Sequence, residues 1–192
     1  MRPVIITLAA FALIPLAGCD QARDKTAAKA TAEPAEPAAA TLTAAIGGAP
    51  GMSTVAAAIK STGLAPVFDG TAPYTVLVPE DDAFGALGKT ASSLKAPENG
   101  AAMAAVIKAH VLPGYLTVAD IGAALNKAQG KPVRMTTMAG TEVSFTRSGK
   151  TLSVTAADGS TAKVAGREVT AGNGVAIPVN AVLKKIPVSP AG

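Results

Sequence analysis

Apolar positions change period along this chain, and the change predicts its architecture. Up to residue 128 they recur every three or four residues. Ser53–Leu64 puts Val55, Ala56, Ile59 and Thr62 on one face, with Ser53 as candidate N-cap and Gly63 as the stop. Thr41–Ile46 reads as a shorter helix, and Ala101–His110 repeats at Ala102, Met103, Val106 and Ile107. Thr117-Val118-Ala119-Asp120 has the spacing of a capping box ahead of Ile121, Leu125 and Ala128. From Lys131 the period becomes two. Val133, Met135 and Thr137 alternate, then Val143 and Phe145, Leu152 and Val154, with Val164 and Val169 continuing; Gly140, Ser148-Gly149 and Asp158-Gly159 are the turns. Helices first and a run of antiparallel strands afterwards predict an α+β domain.

One stretch departs from that division. Within Tyr74–Phe84, Thr75 to Val78 form a β-branched apolar run of the kind buried on both faces of a sheet. It is reached from Leu64, Val67 and Phe68 through the turn pair Asp69-Gly70. Pro79 ends the run, and Asp81 or Asp82 is expected to cap the helical turn that starts at Ala83. A short helix to about Lys89 and a polar loop through Pro97-Glu98-Asn99-Gly100 should follow. About a hundred residues later, Asn173-Gly174 leads into a second apolar strand, Val175 to Leu183.

The N-terminus carries an address. Arg2 is the only charge before an apolar run from Val4 to Leu16, too short to be kept as a membrane span. It ends Leu16-Ala17-Gly18-Cys19, which resembles the bacterial lipoprotein signal, in which the cysteine is diacylated and becomes the new N-terminus; an ordinary secretory signal with an incidental cysteine is the other reading. Residues 1–18 are thus read as the signal and Cys19 as the lipidation site, its acyl chains holding the protein on a membrane. Asp20 resembles a signal that retains some Gram-negative lipoproteins in the inner membrane. Cys19 is the only cysteine, so no intrachain disulfide is available to an exported domain. Residues 19–40 read as a lipidated flexible tether, because Glu33-Pro34-Ala35-Glu36-Pro37 cannot enter a regular element. One domain, 41–187, and a tail, 188–192, complete the chain.

Candidate chemistry is sparse. His110 is the only histidine and has no nucleophile motif around it. It reads as a helix-end residue that hydrogen-bonds backbone carbonyls and locks the turn at Pro113-Gly114, with a general base as the lesser reading. Glu80, Asp81 and Asp82 face different directions around a helix start, which favours dipole complementation over a metal site. Gly88-Lys89-Thr90 lacks the leading glycine of a phosphate loop, since that position is Ala83. Without Arg2, 16 Lys and Arg stand against 13 Asp and Glu, a mild excess spread over 127–167 with no Trp and no interleaved aromatics. Nucleic acid is therefore not an expected partner, whereas weak attraction to anionic lipid or acidic polysaccharide is compatible with it. The sequence predicts no catalytic residue, metal or cofactor.

Three stretches together resemble the fasciclin-like (FAS1) domain over about residues 41 to 186. Tyr74–Phe84, with Thr75, Pro79, Asp81 and Phe84, resembles its first box. His110-Val111-Leu112-Pro113-Gly114 resembles its central His-containing motif, and Asn173-Gly174 through Asn180 and Leu183 its second box. The resemblance implies a wedge of mainly antiparallel β-strands flanked by helices concentrated in the N-terminal half. Where the second box usually carries a His and an Asp, this chain has Ile177 and Asn180 with Pro178 between, and Ala109 replaces the usual aromatic before His110. The Asp-Ile and Tyr-His features tied to integrin contact in animal members are not intact, so integrin recognition does not carry over. The expectation is a monomeric, non-enzymatic, surface-tethered adhesion module facing the periplasm, binding a protein or polysaccharide of the envelope. The alternative is a carrier of an apolar small molecule, a lipid or carotenoid, held between helices and sheet.

Overall fold

The computed structural model describes residues 40–184, which belong to one compact unit, 37–192. The signal, Cys19, the tether before residue 40 and the tail lie outside the described residues.

The β-branched run forms β1 (Tyr74–Pro79), and its neighbours explain its composition. On one side β1 pairs antiparallel with β2 (Val111–Pro113); on the other it pairs in parallel with β8 (Gly174–Val179), Tyr74 opposite Gly174 and Pro79 opposite Val179. β7 (Val169–Ala171) completes this sheet in the order β2-β1-β8-β7. The second sheet is an antiparallel meander, β3 (Val133–Thr136), β4 (Glu142–Ser148), β5 (Thr151–Ala156) and β6 (Thr161–Lys163).

Alternation along β1 and β8 feeds two cores. Val76, Val78 and Ala176 point into a first core shared with the helices; Leu77, Val175, Ile177 and Val179 point into a second, shared with β4, β5 and Ile121 and Leu125 of the last helix. The two strands are thus buried on both faces, as the unbroken apolar runs predict. The sheets are joined where β6 runs into β8. Val164 bridges Val179, Ala165 N–H donates to the Pro178 carbonyl at 2.9 Å, and Asn180 N–H donates to the Lys163 carbonyl at 3.0 Å.

Helices α1 (Leu42–Gly48), α2 (Ser53–Ser61), α3 (Ala65–Phe68), α4 (Asp81–Gly85), α5 (Lys89–Lys95) and α6 (Gly100–Ala109) precede the meander, with α7 (Val118–Lys127) between β2 and β3. The α+β class, with helices concentrated in the N-terminal half, is as the sequence predicts. α7 opens with the expected capping box: Thr117 Oγ1 accepts from Asp120 N–H, and an Asp120 carboxylate oxygen accepts from Thr117 N–H. Glu168 caps the next free amide, Val118 N–H, at 2.6 Å.

Four expectations need correction. Ser53 is not the N-cap of α2; its hydroxyl donates to Asp81, whose carboxylate also accepts from Ser53 N–H and, at 2.7 Å, from Thr54 N–H. Asp81 therefore caps α2, 27 residues away in sequence, and not its own helix, which has no side-chain cap. Lys89–Lys95 is a helix, not a loop, because Ala91 and Leu94 are buried on one side of an otherwise Ser-rich, weakly helical segment. Finally, β8 ends at Val179, where Asn180 turns to pair with Lys163, so Val182 and Leu183 reach the cores from an irregular segment.

Asn173 is the densest joint. Its Oδ1 accepts from Leu42 N–H at 2.8 Å at the start of α1, and its Nδ2 donates to the carbonyls of Phe68 and Gly70, both at 2.7 Å. One amide thereby holds α1, the end of α3 and the entry to β8. Next to it, a Cβ on Gly174 would run into the Tyr74 carbonyl and the Leu42 side chain, so glycine is required by close approach. Asn173→Ala is expected to destabilise the domain by about 3 kcal/mol, the sum of three such bonds at about 1 kcal/mol each. Asn173→Asp should cost a similar amount, because a carboxylate keeps the Leu42 contact but cannot donate to two carbonyls. Urea denaturation of both variants measures this; an Asp variant as stable as wild type would contradict it.

Candidate functional site

The residues that the sequence singles out occupy the joints of the first sheet. His110 follows α6 and is 1% exposed. Its Nδ1 lies 2.8 Å from the Val106 carbonyl and its Nε2 2.8 Å from Leu183 N–H. A carbonyl can only accept and an amide can only donate, so the ring is neutral with its proton on Nδ1. Burial pushes its pKa down to about 4, against a smaller opposing effect of the Val106 bond. Its backbone carbonyl accepts from Leu77 N–H at 2.8 Å, so His110 connects α6, β1 and the C-terminal segment.

That is a structural role of the kind favoured from sequence, but the imidazole does not hold the turn at Pro113-Gly114. Thr75 does. Its buried hydroxyl donates to the Gly114 carbonyl and accepts from Leu116 N–H, both at 2.8 Å. Pro113 lies opposite Tyr74, and Gly114 takes a φ of +103°, open to glycine. Phe84 fills the first core, Pro79 closes β1, and Asn180 Oδ1 accepts from Lys163 N–H at 2.8 Å.

The acidic trio is not gathered on a common point. Burial would raise the Asp81 pKa, but the hydrogen bonds from Thr54 and Ser53 offset this and hold it below its ordinary value. Among the described residues no three His, Cys, Asp or Glu side chains converge in a way that would hold a metal ion.

Two features remain for contact with other molecules. The first is the outer face of the meander, where hydroxyls oppose one another across strands: Ser144 with Thr155, Thr146 with Ser153, Ser148 with Thr151. Thr161 lies opposite Thr155, while Lys163 and Arg134 flank the array, Arg134 in an exposed ion pair of 3.4 Å with Glu142. The second is a cleft of about 510 Å³ walled by α2 on one side and by the end of α5, Ala96-Pro97 and the start of α6 on the other. The cleft escaped the sequence reading because one wall, α5, reads as a loop; the small residues Ser53, Ala57 and Ser61 at four-residue spacing were its visible signal.

His110 gives a pH test. Its folded pKa lies below the ordinary 6.5, so the unfolded chain binds the proton more readily. The stability it confers is complete above pH 6.5 and declines as pH falls towards 4, at a slope approaching about 1.4 kcal/mol per pH unit. His110→Phe should lower stability at pH 7 by about 2 kcal/mol, leaving Leu183 N–H unpaired. It should also flatten the loss between pH 6.5 and 4, as read by urea denaturation at pH 7 and pH 5. An unchanged pH slope in the variant would refute the neutral, buried assignment.

Comparison with known proteins agrees with this architecture. Residues 50–185 match the family described as the Fasciclin domain. Over 70 residues the chain is 39% identical to Protein sll1483 of Synechocystis sp., a stretch that is 36% of this chain and 39% of that protein. The chain thus spans about two fifths of the length of this curated relative. Among solved structures, a FAS1 domain pair from the insect cell adhesion molecule Fasciclin I superposes with a TM-score of 0.65 at 15% identity, over 76% of this chain and 51% of that one. The structural likeness is one of fold, while the matched segment runs from just before α2 through β8 and takes in every joint described above except α1. The chain belongs to the fasciclin domain family, whose domains are generally adhesion or interaction modules.

Proposed function

We propose that this chain is a non-enzymatic interaction module of the bacterial cell envelope. It is exported, anchored through acyl chains on Cys19, held off the membrane by the 19–40 tether and turned towards the periplasm, with Asp20 favouring the inner membrane. It binds a polysaccharide or protein partner. A module on such a leash gains effective concentration at the surface it serves.

The observation that carries this reading is the division of labour within the domain. Thr75, His110, Asn173 and Asn180 are engaged in hydrogen bonds that hold the fold, whereas on the outer face of the meander Ser148, Thr151, Thr161 and Lys163 are exposed and Ser144, Thr146, Ser153 and Thr155 half-buried. Paired hydroxyls at strand spacing beside cations suit an acidic polysaccharide, which offers hydroxyl and carboxylate groups along an extended chain.

A second reading, a carrier of an apolar small molecule, has the cleft of about 510 Å³ behind it. Its place among α2, α5 and α6 differs from the one expected from sequence, between helices and sheet.

Cell fractionation combined with retention on an immobilised polyuronate tests the leading reading. The wild-type chain should sediment with membranes and be retained, eluting as ionic strength rises. Cys19→Ala should move to the soluble fraction. Thr146→Glu with Thr155→Glu should stay at the membrane, with an unchanged melting temperature, but lose about tenfold in retention. Membrane association that survives Cys19→Ala would refute the anchor, and retention indifferent to the two glutamates would refute the docking face.

A further inference from the structure

The cleft follows from side-chain size. Along α2 the face that looks out over it carries Ser53, Ala57 and Ser61, one turn apart, with Ala58 beneath. The opposite wall offers Leu94 and Lys95 from α5, then Gly100 and Met103 from α6. Deeper down, Val55 and Ile59 of α2 join Val106 and Ile107 of α6 in the first core and hold the helices together. Nearer the surface, alanine, serine and glycine face one another and cannot fill the gap. The resulting volume lies within the range that small ligands occupy.

Its lining is amphipathic in a definite order. Ala58, Leu94 and Met103 form an apolar floor, each 4% exposed. The serines at the rim already donate within the protein, Ser53 to Asp81 and Ser61 to the Ala58 carbonyl, so they have little left to anchor a polar ligand. Lys95 is the charged residue of the lining; it is exposed, and it makes no ion pair among the described residues.

We propose that this cleft binds a single-chain amphiphile with an anionic head of the fatty-acid type, its chain along Ala58, Leu94 and Met103 and its carboxylate at Lys95. The proposal rests on the carrier reading and sharpens it from an apolar molecule to an acidic one. An ammonium beside an apolar floor discriminates between a carboxylate and an uncharged head on the same chain, because only the carboxylate gains a charge-assisted hydrogen bond.

A heteronuclear NMR titration of the full chain with decanoate, and separately with decan-1-ol, tests this. Decanoate should shift the amides of Ala57, Ser61, Lys95 and Met103 and saturate at one equivalent. Ala57→Phe fills the cleft from an exposed helical position, and should weaken decanoate about tenfold or more without lowering the melting temperature. Lys95→Gln should weaken decanoate several-fold and leave decan-1-ol unchanged. If neither compound binds, the carrier reading falls and this inference with it. If both bind equally and Lys95→Gln changes neither, the carrier reading stands and the acidic head is refuted. Binding that is undiminished in Ala57→Phe would place the site elsewhere and overturn the proposal.

Discussion

The parallel pairing of β1 with β8 is the constraint on which the rest of this domain depends. Two strands about a hundred residues apart must find one another and be buried on both faces at once, with Tyr74 opposite Gly174 and Pro79 opposite Val179. Parallel strands cannot be joined by a tight turn, so all of α4 to α7 and the meander lie between them. Closing so long a loop costs entropy before any contact rewards it. The return comes from two cores at the same time, since Val76 and Val78 serve one and Leu77, Ile177 and Val179 the other. Polar joints then fix the register at each end: Asn173 where β8 begins, Thr75 and His110 beside β1, Asn180 where β8 ends.

This arrangement explains why the stretches by which the family is recognised hold so little chemistry. Their polar side chains satisfy backbone groups that burial would otherwise leave unpaired. His110 is the clearest case, a neutral imidazole spanning a carbonyl and an amide in a site that disfavours its charged form. On the proposed reading, contacts with other molecules fall to the hydroxyl face of the meander and the cleft beside α2. The fold supplies the frame, and the function is read from what is placed on it.

Much of the fold was legible because it is written in local pattern. The change of period at Lys131, the box at Thr117–Asp120 and the run at Thr75–Val78 each appear in the structure as the elements they predict. What was illegible depends on distance. Asp81 looks like the cap of its own helix until the fold brings the start of α2 to it, and Asn173 reads as a prelude to a strand until α1 and α3 converge on its amide. α5 hid behind serines because its helicity comes from the burial of Ala91 and Leu94 and not from propensity. With α5 read as a loop, the wall facing α2 was incomplete. His110 could be assigned to structure in advance, but its partner Leu183 lies 73 residues away and carries no sequence signal.

Native-state hydrogen exchange at low urea tests most directly the claim that the β1–β8 pair is the joint of the domain. The account predicts that the hydrogen-bonded amides of β1 and β8, Leu77 among them, exchange only through global unfolding, while α5 and the outer meander strands open at lower free energy. Exchange of β8 by a sub-global opening that leaves the meander protected would contradict it, and would place the centre of the fold in the second sheet.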